Sequence, residues 1–243
     1  MSATYVYGLI AADADLPEDL AGLGPSGSVS TVAHGKLAAI VSDVPLDRPL
    51  GTRDDLLAHE RVVDSVVNHT TVLPMRFPAV IEEDGLVEEL LEPHQEHFLA
   101  ILDRLDGKVQ YTLRARYEQD VLLQEILEED EQIRQLHEQV RELPEDAAYY
   151  DRVKLGELIV RALEKRREVD AVDIVERLEP FAADVSTTTP SQPEDVVIAA
   201  FLVDRDAVPA FDEAVEELGR DTHEWLRLRL LGPLAPYDFI PQE

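Results

Sequence analysis

Just beyond residue 117 the spacing of apolar side chains switches from every second residue to every third or fourth, which confines the chain to a mixed architecture. Val109, Tyr111, Leu113, Ala115 and Tyr117 alternate with Lys108, Gln110, Thr112, Arg114 and Arg116, the pattern of a strand with one buried and one polar face. Immediately afterwards Leu122, Ile126, Glu129, Ile133, Leu136, Val140 and Leu143 follow at spacings of 4, 3, 4, 3, 4 and 3, a coiled-coil seam containing one acid. Pro144-Glu145-Asp146 ends that helix, and a second is expected from about Asp151 toward Glu179. Its seam is Leu155, Leu158, Ala162, Lys165, Val169 and Val172. Folded back about residue 147 as an antiparallel hairpin, the helices pair Val140 with Leu155, Leu136 with Leu158 and Ile133 with Ala162. The same register pairs Ile126 with Val169, Leu122 with Val172, and the acid Glu129 with the base Lys165. Those two residues are expected either to fix the register as an ion pair, with Arg161 or Arg166 competing, or to reach solvent separately.

The first part of the chain reads as strands and helices in turn. Thr4 to Ala11 is a strand followed by a loop with Pro17, Gly22, Gly24, Pro25 and Gly27. Val29 to Val32 and Lys36 to Ser42 flank His34-Gly35 as a hairpin, with Leu37, Ala39 and Val41 on one face. Thr52, with Asp55 three residues on, caps a helix carrying Leu56, Val63, Val66 and Val67 and ending near His69. The two prolines of Val72 to Val80 make it an irregular or edge strand. Asp84 to Leu105 is helical, kinked or restarted at Pro93 and closed by Gly107. Strand, strand, strand, helix, strand, helix, strand predicts a ferredoxin-like sandwich over residues 1–117. Residues 118–243 are expected to hold the helical hairpin and a small sheet. Its parts are strands at Ala182 to Thr188 and Val196 to Val203, a helix at Asp206 to Gly219 with Val208, Phe211 and Val215, and a last strand in which Leu226, Leu228 and Leu230 alternate with charged residues. The fold class is thus α+β in two domains. The stiff apolar tail, Leu234, Ala235, Pro236, Tyr237, Phe239 and Ile240, is expected to dock.

Composition removes several function classes. With 51 acidic and 22 basic residues the net charge is −29, which argues against binding a phosphate backbone and hence against a nucleic-acid partner. At 45% hydrophobic residues the chain still has apolar material enough for packed cores. It has no cysteine, so disulfides and thiolate chemistry are excluded. Val196 to Val203 is too short for the roughly 20 residues of a membrane span. No secretory pattern opens the sequence, and a soluble cytoplasmic protein without a membrane partner is expected.

Chemistry-bearing residues are few. His94 and His97 share a helical face as two metal ligands can, yet no third ligand follows at a recognisable spacing, and packed histidines are the plainer account. No metal and no cofactor is expected. His59-Glu60 with Asp55, and the carboxylates from Glu125 to Glu131, carry equally weak signals. Arg76, among Val72, Leu73, Met75 and Phe77, is expected to anchor a carboxylate between elements. Lys108, Arg114 and Arg116 form a basic stripe that either receives an acidic partner or protects an edge strand. No phosphate loop, nucleophile elbow or HExxH occurs, so catalysis is not expected.

Six segments, in order, carry a resemblance: Tyr5-Val6-Tyr7-Gly8, Leu37 to Asp43, Val72-Leu73-Pro74-Met75-Arg76-Phe77, Gly107-Lys108-Val109, Phe201-Leu202-Val203 and Gly232 to Ile240. Together they resemble the gas vesicle protein L/F family along nearly the whole chain, with Pro78 departing from the Gly that more often follows the Arg-Phe pair. The resemblance implies an accessory or minor component of gas vesicles that binds the small hydrophobic major shell protein, with other accessory proteins as further partners. It would help to nucleate assembly or prevent aggregation. Lys108, Arg114 and Arg116 and the tail residues Leu234, Pro236, Tyr237, Phe239 and Ile240 are then the candidate partner-binding groups, with Arg76, Glu129 and Lys165 structural. The alternative from another class is a small-molecule- or metal-binding protein with a pocket near Arg76, His94 and His97.

Overall fold

The computed structural model describes residues 2–24, 26–45, 50–82, 85–144, 148–190 and 192–241. Pro25, Asp84, Glu145, Asp146 and the expected turn about residue 147 lie outside the described residues. The fold is mixed α+β, and it divides into two compact units. One comprises Met1–Tyr111, Leu202–Asp206 and Leu231–Glu243, the other Thr112–Phe201 and Ala207–Leu230. Where the sequence reading places a single division after Tyr117, this one runs through three strands and puts the tail with the first unit.

In the first unit, β1 (Ser2–Ala11) is the hub of a sheet ordered β2 (Ser30–His34), β3 (Leu37–Pro45), β1, β4 (Leu73–Pro74), with β5 (Val80–Glu82) also on β1. The β2–β3 turn sits one residue later than expected. His34 pairs with Leu37, and Gly35, at φ 60°, takes the first central position where a two-residue turn wants positive φ. All of Leu37–Ser42 is buried, so tertiary packing overrides the expected one-faced alternation. A register shift between Val6 and Gly8 against β3 makes Tyr7 the bulge residue. Gly8 is required by contact: a Cβ there would lie 2.8 Å from the Leu73 carbonyl oxygen and 2.9 Å from Val72.

Helix α1 (Arg53–Val67) starts in the expected capping box, Thr52 accepting from the Asp55 amide while Asp55 accepts from that of Thr52. Its buried face differs from the apolar count. Asp55 and His59 are buried with Ala58, Val62, Val63, Val66 and Val67, while Leu56 is exposed. A π-helical segment at Leu86–Leu91 runs directly into α2 (Glu92–Leu105), with Pro93 in the first turn of α2, so the amide that proline lacks falls where the helix changes from π to α. Gly107 follows at φ 67°.

The other sheet has the order β7 (Asp184–Thr188), β8 (Asp195–Asp204), β6 (Lys108–Tyr117), β9 (Leu226–Leu234). Between β6 and β7 lie α3 (Gln119–Glu129), α4 (Glu131–Glu142) and α5 (Tyr149–Leu178), and between β8 and β9 lies α6 (Val208–Thr222). Counting the helices before β7 as one layer, this is the β-α-β-β-α-β order of a ferredoxin-like unit. The ferredoxin-like pattern expected within residues 1–117 thus belongs to residues 108–234. The cause is β6: its alternation reads as the closing strand of the first sheet, but it runs between β8 and β9 and is no edge.

The seam expected over 122–143 is not one helix. Asp130 leaves the helical region at φ −110°, ψ 103°, and its carboxylate accepts the amides of Gln132 and Ile133 at 2.9 and 3.0 Å, which starts α4 afresh. Leu122, Ile126, Ile133, Leu136, Val140 and Leu155 are buried as expected. Leu158 and Ala162 are only half-buried, and Val169 and Val172 are 64% and 55% exposed, because the non-helical residue breaks the phase on which their layers depended. Asp130→Ala is expected to destabilise the protein by about 1 kcal/mol, and Asp130→Asn by much less, in urea unfolding followed by helical circular dichroism.

Candidate interaction site

Four polar side chains close the core of the first unit. Buried His59 of α1 makes two bonds: Tyr5 Oη lies 2.9 Å from Nδ1 and Tyr237 Oη lies 2.8 Å from Nε2. Each ring nitrogen has a tyrosine hydroxyl as its partner, and because a hydroxyl can donate or accept, either tautomer of the ring satisfies both. Burial pushes the His59 pKa down to about 4, opposed by a bond to the Met75 backbone. Burial likewise pushes the Tyr5 and Tyr237 hydroxyls up. The bulge at Tyr7 aims that ring at the same place: it stacks on His59 at 5.8 Å and meets Tyr5 edge-on at 4.9 Å. The Tyr7 hydroxyl donates to Ser42 at 3.0 Å and accepts the Leu23 amide. The cluster ties the opening motif to the closing one. At 1% exposure His59 is out of a substrate's reach, so it serves as a clamp. The sequence offered His59 only as a weak ligand signal.

The tail docks within the first unit. Asp238 exchanges two bonds with Gln110, its carboxylate accepting Nε2 at 2.5 Å and its amide donating to Oε1 at 3.1 Å. Arg104 donates to the Phe239 carbonyl. Pro236 and Phe239 are buried, and Leu234, Tyr237 and Ile240 half-buried. Gly232, at φ 151°, has no room for a Cβ, which would fall 2.5 Å from the Tyr111 ring. The basic stripe is engaged internally as well. Lys108 reaches Asp204 at 3.7 Å, and Arg114 grips the buried Asp195 of the neighbouring strand with two bonds, at 2.9 and 2.7 Å. Arg116 adds a contact to Asp195 at 3.0 Å and one to Glu194. The Arg114 bond holds the Asp195 carboxyl below its usual range.

In the second unit, Glu129 meets Arg166 at 3.2 Å, and Lys165 is exposed. Arg166 is the hub: it also contacts Glu125 at 2.9 Å and Asp170 at 3.4 Å, and lies over the Trp225 ring at 5.6 Å. Asp170 in turn accepts from the Tyr117 hydroxyl at 2.7 Å. The layer expected between Glu129 and Lys165 therefore exists one residue along. Beside it opens a groove of about 630 Å³ between α3–α4 and α5, whose apolar floor includes Ile126, Ile133, Leu158, Ala162 and Val169.

Arg76, His94 and His97 do converge, on a cleft of about 410 Å³ in the first unit that also includes Leu73, Phe98 and Ile240. Arg76 does not anchor a carboxylate between elements as expected. It is exposed, as are both histidines, whose rings lie 5.7 and 5.9 Å from that of Phe98. Among the described residues no three His, Cys, Asp or Glu side chains gather as a metal site would need. Nor is any helix among them long and apolar enough to cross a membrane.

The mixed α+β fold itself is a known one. The crystal structure of GvpF from Anabaena sp. PCC7120 matches all of this chain and 98% of its own, with a TM-score of 0.81 at 23% identity. That of GvpF from Microcystis aeruginosa matches 98% of each chain, with a TM-score of 0.77 at 23% identity. The family described as gas vesicle synthesis protein GvpL/GvpF matches residues 3–241, and the chain belongs to it. Gas vesicle protein F of Streptomyces sp. (strain CB03234) is 36% identical over 98% of this chain and 99% of its own. Gas vesicle protein L of the same organism is 28% identical over 97% and 91%.

The clamp has a pH signature. With a folded pKa near 4 against the ordinary 6.5, the native state binds fewer protons than the unfolded one between these values. The clamp's contribution is therefore full above about pH 6.5 and falls by up to about 1.4 kcal/mol per pH unit on acidification toward 4. His59→Gln, which does not titrate there, is expected to be less stable than wild type at pH 7, with the gap narrowing toward pH 4.5. Urea midpoints of both proteins across that range check it; a constant gap counts against the assignment.

Proposed function

We propose that this chain is an accessory or minor component of gas vesicles that binds the hydrophobic major shell protein. In this role it assists nucleation and assembly and keeps the shell protein from aggregating. Membership of the gas vesicle family supports the setting. The net charge of −29 suits a carrier that must stay dispersed while holding an apolar client, and disfavours nucleic acid. The role is non-enzymatic, and its place is the cytoplasm, at the forming vesicle.

The observation that carries the reading is the uncovered apolar run of α5. Val169 and Val172 are each more than half exposed, and Val169 lines a groove floored by Ile126, Ile133 and Leu158. A helical seam left open on one side suits an apolar partner segment. Because Lys108, Arg114 and Arg116 bind carboxylates of this chain, and the tail is packed, we assign docking to α5 rather than to the stripe or the tail.

Co-expression with the major shell protein followed by affinity purification tests this. The wild-type chain is expected to retain the shell protein in solution, and Val169→Glu with Val172→Glu to lose it by at least about tenfold while keeping the melting temperature, since both side chains are exposed. Failure of the wild type to retain the shell protein, together with unchanged vesicle numbers in cells lacking the gene, would refute the role. Retention undiminished in the double variant would move the surface elsewhere.

A further inference from the structure

The cleft beside Arg76 has a composition unlike the rest of the chain. In a protein with 51 acidic residues, none of the described residues lining it is acidic. What lines it instead is one guanidinium, two imidazoles and an apolar floor. His94 and His97 stand three residues apart on α2, so their rings share one side of the helix. Arg76 comes from the stretch after β4, and among the described residues it has no hydrogen-bond or ion-pair partner. Elsewhere in the chain Arg114, Arg116 and Arg166 each hold a carboxylate, the group that a guanidinium without a partner can take from a ligand. We propose that the cleft of Arg76, His94 and His97 binds an extended peptide segment of a partner, with an acidic side chain held by Arg76 and flanking bulky apolar residues seated on Leu73, Phe98 and Ile240.

Charge and shape both favour that occupant. Guanidinium matches a carboxylate with two parallel donors, and imidazole nitrogens can supply further ones. The apolar floor distinguishes the ligand from a simple anion, because a bare phosphate or sulfate would leave it wetted. Openness distinguishes it from a small metabolite. Arg76, His94 and His97 are all exposed, so the cleft covers one side of its ligand and leaves the other in water, as for a stretch of longer chain. At about 410 Å³ it holds one or two large side chains rather than a folded element. This inference rests on the cleft's own residues and does not depend on which protein docks on α5.

The test uses the full chain and fluorescence anisotropy with a labelled, C-terminally amidated peptide containing Leu-Phe-Glu-Leu-Phe, whose only carboxylate is the glutamate. Saturable binding is expected, at least about tenfold weaker when that glutamate is replaced by glutamine, as loss of one charge-assisted pair implies. In Arg76→Ala the two peptides are expected to bind alike, and Arg76→Lys to restore part of the difference, with melting temperatures unchanged because the side chain is exposed. A peptide with serine in place of the four apolar residues is expected to bind at least about tenfold more weakly. Equal binding of the glutamate and glutamine peptides by the wild type, an Arg76→Ala variant that still tells them apart, or no binding at millimolar peptide would overturn the proposal. So would hexanoate displacing the peptide at an affinity equal to the peptide's own, which would make the ligand a small carboxylate.

Discussion

A neutral imidazole bonded at both nitrogens holds the first unit together, and much else in that unit follows from the need to keep it neutral and satisfied. Leaving a buried polar group without its partner costs about 1–3 kcal/mol, so His59, Tyr5 and Tyr237 depend on one another. The bulge that aims Tyr7, the absence of a side chain at Gly8 and Gly232, and the anchoring of Asp238 on Gln110 all bring backbone or rings close enough for that arrangement. The motif residues at the two ends of the chain are thereby explained as halves of one packed structure.

The second unit rests on a different device. Arg166 gathers Glu125, Glu129 and Asp170 around one guanidinium over Trp225, and Arg114 and Arg116 close on the buried carboxylate of Asp195. These pairs engage three of the unit's fourteen Lys and Arg side chains. Beside the Arg166 cluster, Val169 and Val172 stay exposed on α5. A strongly negative protein with an open apolar groove stays dispersed through charge while remaining adhesive in one place.

Local signals were legible and distant partnerships were not. Thr52 with Asp55 announced the start of α1, the doubly buried run from Val196 to Val203 announced β8, and the alternation after Lys108 announced β6. The spacing of His94 and His97 placed them on one side of a helix, and the cleft with Arg76 follows from that. His59 stayed hidden because its partners lie 54 and 178 residues away and a lone histidine among valines reads as packing. The heptad count ran through Asp130 because an aspartate at a non-seam position leaves the spacing intact. Its capping preference, followed by Glu131 and Gln132, was the cue that would have split the helix. The sheet to which β6 belongs could not be read from its own residues, since alternation specifies a strand and not its neighbours.

The partition of the chain has a consequence for synthesis. Leu202–Asp206 and Leu231–Glu243 complete the unit that the amino terminus begins, so its clamp cannot close while the ribosome is still making the remainder. Tyr5 and His59 emerge early and wait for Tyr237, which is made 178 residues after His59. Until then the nascent polypeptide presents an unfinished interior, and biogenesis of one unit is tied to translation through the other.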